Sequence, residues 1–152
     1  MKHTPPELLP GIGLRPGGER PDLEPEIPRL FESMYAEVAA LARRGVNVAV
    51  DVGHHDDYSE PLGIRGMVGE WLTGLPVFWV GVRCPIAVVL ERRAASDPEV
   101  YVQGARDGVP APVVRWQESV HAWGEYDLEI DTSMVPSGIA ASRILDCVSK
   151  RS

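Results

Sequence analysis

At 152 residues, 44% hydrophobic and 24% charged, the chain has the size and composition of one globular domain with a real core. A formal net charge of −7 and the lack of a basic tract argue against nucleic acid as a partner. No apolar run approaches the ~20 residues that span a bilayer. The start Met1-Lys2-His3-Thr4-Pro5-Pro6 has no signal-peptide core, and Cys84 and Cys147 match no metal spacing, so a reduced, cytoplasmic, membrane-free setting is expected.

Residues 1–26 carry prolines and glycines too densely for a helix or an inner strand, and read as an extended loop segment. From Glu26 to Arg44 the apolar positions Ile27, Leu30, Phe31, Met34, Val38 and Leu41 form one helical stripe, with Gly45 suited to the C-cap. Val46–Val52 then reads as a buried strand. Glu60–Leu72 is expected to be helical, with Ile64, Val68, Trp71 and Leu72 inward. Val77–Val82 is apolar on both faces, as an inner parallel strand would be. Pro85 opens a helix over Ile86–Ala95. Ser96–Val109 has no clear period and is long for a loop, which suits a lid. A helix over Pro112–Trp123, a short strand over Tyr126–Asp131 and a last helix over Ser137–Lys150, burying Ala141, Ile144, Leu145 and Val148, complete the order. Met34 and the four tryptophans read as core. Helices alternating with strands predict an α/β fold with a parallel sheet, and residues 27–150 are expected to form a single domain.

The most informative stretch is Val46–Asp57. An apolar β-branched run ends in Asp51, and His54, His55, Asp56 and Asp57 follow within six positions. In open α/β sheets ligands bind just past the carboxyl ends of the strands. A carboxylate at Asp51 can orient a substrate hydroxyl or hold a magnesium-bound water, against the plainer reading of a strand-end hydrogen bond. Adjacent residues on one loop rarely converge on one ion, and no distant His/Cys pair completes a set, so no metal site is expected and zinc hydrolysis at Asp51, His54 and His55 is the weakest reading. For the histidines and Asp56 the rivals are substrate contact and a loop in which Asp56 or Asp57 caps the next helix. Arg92, Arg93 and Arg106 bracket the irregular segment, as arginines of a lid closing on phosphate would. The turn Asp131-Thr132-Ser133 can contact an adenine or ribose, or act as a cap.

No Gly-x-x-x-x-Gly-Lys-[Ser/Thr], Gly-x-Gly-x-x-Gly or Gly-x-Ser-x-Gly occurs. Even so, the blocks Leu41–Asp51 (Leu-Ala-Arg-Arg-Gly-Val-Asn-Val-Ala-Val-Asp), Val77–Cys84 (Val-Phe-Trp-Val-Gly-Val-Arg-Cys), Gln117 with His121, and Glu125–Thr132 (Glu-Tyr-Asp-Leu-Glu-Ile-Asp-Thr) resemble the chloramphenicol phosphotransferase family of P-loop kinases over about residues 28–135. That resemblance implies a three-layer P-loop kinase-like fold and an ATP- and Mg2+-dependent enzyme that phosphorylates a hydroxyl of an antibiotic or similar small alcohol. It places a strand-end acid at Asp51, substrate-side groups at His54, His55 and Asp56, and lid cations among Arg92, Arg93 and Arg106.

The family's first strand, phosphate loop and second strand have no counterpart here, and Met1–Leu9 resembles the family segment just after the general base. The expectation is an N-terminally truncated kinase fold, inactive as written, with a true start upstream that the in-frame DNA would show. The rival is a non-enzymatic remnant or small-molecule binding domain. In either case Val46–Val52 and Val77–Val82 lose the strand expected between them, leaving unpaired inner edges.

Overall fold

A computed structural model describes residues 21–95 and 111–151, which fall into two compact units. The first holds the described residues through Val77 together with Glu118–Ala122, and the second holds those of Phe78–Gln117 and Trp123–Ser152. The chain is a mixed helix and strand protein whose sheet, among the described residues, has two parallel strands.

In the first unit a 3-10 helix over Pro21–Glu26 leads into α1 (Ile27–Arg43), which packs against α2 (Ile64–Trp71). Pro28 at the start of α1 costs nothing, because its missing N–H would have had no helical partner. The other end closes as a Schellman motif. Gly45, at φ +81°, donates its N–H to the Ala42 carbonyl at 2.9 Å, and Val46 donates to Leu41 at 3.1 Å. α1 buries Ile27, Tyr35 and Ala39, a row at i, i+8 and i+12, while Leu30 and Leu41 of the expected stripe are exposed at 50% and 38%. Tyr35 and Ala39 are buried in the unit where α1 packs against α2, whose Ile64, Val68 and C-cap Leu72 are buried too. α2 starts later than expected, at Ile64, because Pro61 and the left-handed Gly63 (φ +68°) keep the preceding residues out of the helix.

The expected strand Val46–Val52 is not formed. The segment belongs to no sheet, and Val46, Val48 and Val50 are exposed at 46%, 37% and 38%. A strand exists only within a ladder, and the first unit holds no strand among its described residues.

In the second unit β1 (Val80–Arg83) pairs in parallel with β2 (Leu128–Asp131), Val80 facing Leu128 and Arg83 facing Asp131. Both strands are shorter than the runs that announced them. β1 has β2 as its one described neighbour, so Val82 is 57% exposed where an inner strand was expected. α3 (Ile86–Ala95) follows β1 and α4 spans Ala111–Val120. α5 (Ser137–Ser149) follows β2. α5 buries Ala140, whereas Ala141, Leu145 and Val148 of its expected inner face are exposed, Leu145 by 66%. Trp116 is exposed at 45% and the other three tryptophans are half-buried, so none is deep core.

Gly81 of β1 is buried beneath the Tyr126 ring, and a Cβ built there would lie 2.6 Å from the ring. Gly81→Ala therefore forces the ring off the strand. It should cost about 1–3 kcal/mol in urea unfolding, and a stability within ~0.5 kcal/mol of wild type would contradict this packing.

Candidate functional site

The acid- and histidine-rich loop after Val52 is held from several sides. His54 and His55 are buried at 4% and 3% exposure. The Tyr35 hydroxyl lies 2.8 Å from His54 Nε2, and the His54 ring sits against Phe31 (centroids 5.0 Å) and Tyr35 (5.6 Å), with Trp71 stacked on Tyr35 at 6.0 Å. Burial, then the Arg65 charge, then His55 lower the His54 pKa to about 4, and burial raises Tyr35 to about 12. Near neutral pH both partners are uncharged. With the hydroxyl as donor, the His54 ring proton sits on Nδ1.

His55 accepts the Asp57 N–H at Nδ1 over 3.2 Å and stacks on Tyr58 at 4.3 Å. That bond needs a lone pair on Nδ1, so it selects the tautomer protonated at Nε2. Burial and the nearby Asp56 and Glu24 carboxylates push the Tyr58 phenol well above its ordinary range. Asp56 Oδ1 accepts the N–H groups of Leu62 (3.1 Å) and Ile64 (3.3 Å), so it caps the first turn of α2 from eight residues upstream. Asp57 Oδ2 accepts the Ser119 hydroxyl at 2.9 Å. Glu24, on the 3-10 helix, accepts the Ser59 N–H with both oxygens, at 3.1 and 3.3 Å. Of the two readings of Asp56, the capping contact is the one these bonds make. Asp51 is exposed and outside any strand.

In the second unit the carboxyl ends of β1 and β2 carry a different set. Arg92, in the last turn of α3, donates to the Thr132 carbonyl (2.6 Å) and hydroxyl (3.2 Å), with Cys84 Sγ 3.6 Å away. The Thr132 hydroxyl and N–H both reach the Arg83 carbonyl, at 3.1 and 2.9 Å. The Gln117 side-chain amide donates to the Cys84 carbonyl. Ser133 donates its N–H and hydroxyl to Asp131 Oδ1, which holds that exposed carboxyl below its usual range. Asp131-Thr132-Ser133 is thus a self-capped turn. Arg92 is clamped at the sheet edge and Arg93, next in the chain, is half-buried. Arg106 and the lid segment after residue 95 lie outside the described residues.

The structure therefore gathers His54, His55 and Asp56 into one bonded loop, with Asp51 exposed three residues before it in the chain. Sequence reasoning missed Tyr35, Glu24 and Ser119 as the groups that hold this loop. Tyr35 had a signal: it lies four residues after Phe31 and eight after Ile27, on one helical row. Glu24 and Ser119 had none, since they meet the loop through tertiary structure.

The sequence pattern of the chloramphenicol phosphotransferase-like proteins matches residues 2–149. The chain belongs to that family. The match extends the resemblance at residues 28–135 almost to both ends. No curated protein and no solved structure matches the chain. No helix of the described residues is long and apolar enough to cross a membrane.

Proposed function

We infer that this chain has the architecture of a small-molecule O-phosphotransferase of the P-loop kinase type, acting on a hydroxyl of an antibiotic or similar alcohol, and that its 152 residues supply the acceptor side of that architecture. The observation that carries this reading is the family match over residues 2–149. The parallel pair β1–β2, with α3 between its strands in sequence, supports the three-layer kinase-like fold. A cytoplasmic setting belongs to the same reading.

Within it, Asp51 is the carboxylate available to an acceptor hydroxyl, because it is exposed while its neighbours are engaged. His54, His55 and Asp56 act as positioning residues that shape the acceptor loop through Tyr35, Asp57 and the first turn of α2. Arg92, Arg93 and Arg106 are the proposed lid cations, Arg92 already standing at the carboxyl edge of the strands.

The residues present do not fit ATP and Mg2+. The 152 residues contain no Gly-x-x-x-x-Gly-Lys-[Ser/Thr] to cradle phosphates with backbone amides. Among the described residues no group of three acids, histidines or cysteines could hold a metal ion, and the Arg92 guanidinium is bonded to Thr132. Calorimetry of this chain with Mg-ATP should therefore give a dissociation constant no tighter than about 1 mM (~−4 kcal/mol). Micromolar binding would overturn this and restore ATP-dependent transfer to this very sequence. The bonds that hold the 53–64 loop, both within it and to Tyr35, Glu24 and Ser119, also favour a second reading, a small-molecule binding domain without transfer.

A further inference from the structure

We draw no further inference here: the strongest candidate, the side-chain cluster of Cys84, Arg92 and Thr132 at the carboxyl ends of β1 and β2, belongs to the site already described, with Arg92 a proposed lid cation bonded to Thr132 and the one thiol unable by itself to mark a second site.

Discussion

Tyr35→Ala should lower the unfolding free energy by about 3–5 kcal/mol, the range for losing a buried aromatic ring. Tyr35 is 2% exposed, stacks on Trp71 and on His54, and bonds His54 through its hydroxyl. Its loss opens a cavity between α1 and the 53–64 loop and removes a partner from a buried ring nitrogen. Tyr35→Phe keeps the ring and removes only the hydroxyl, so it should cost less, about 1–3 kcal/mol. Urea unfolding followed by tryptophan fluorescence separates the two. Equal losses for both variants would show that the hydroxyl bond matters and the stacking does not. A loss below ~1 kcal/mol for the alanine variant would show that the loop is held elsewhere.

Acid should destabilise the first unit through His54. Its pKa is about 4 in the folded chain against 6.5 for an ordinary histidine, so the unfolded chain takes up the proton first. The stabilising contribution is therefore complete above pH 6.5, falls as pH drops toward 4, and is gone below that. The shift corresponds to at most about 3 kcal/mol, and solvent screening reduces it. Arg65 and His55 face the same ring and oppose its protonation. Carboxylates add their own acid loss, so the comparison is with His54→Gln, which cannot titrate in this range. Between pH 7 and pH 4 the variant should lose less stability than wild type. Parallel pH profiles for the two proteins would sink the idea.

The helices were legible in the sequence because their signals are local. Ile27–Arg43, Ile86–Ala95 and Ser137–Ser149 lie within a residue or so of their expected bounds, and Gly45 closes α1 in the manner its position announced. Inward faces were less legible. The stripe through Leu30 and Leu41 had the right period, yet Tyr35 and Ala39 are buried instead, because the direction a helix turns inward depends on its neighbour. Strands were least legible. Val46–Val52 has every local mark of one, and no described strand lies beside it.

Residue order alone was enough for the family, a mixed helix and strand fold, and the placing of most helices. Those are properties of motif, period and cap chemistry over a few turns. What holds the 53–64 loop came from contacts across the fold. Burial and the Tyr35 bond place His54 among core rings, and the distant amides of Leu62 and Ile64 make Asp56 a helix cap. A side chain's partner, unlike its period, is set by groups far away in the chain.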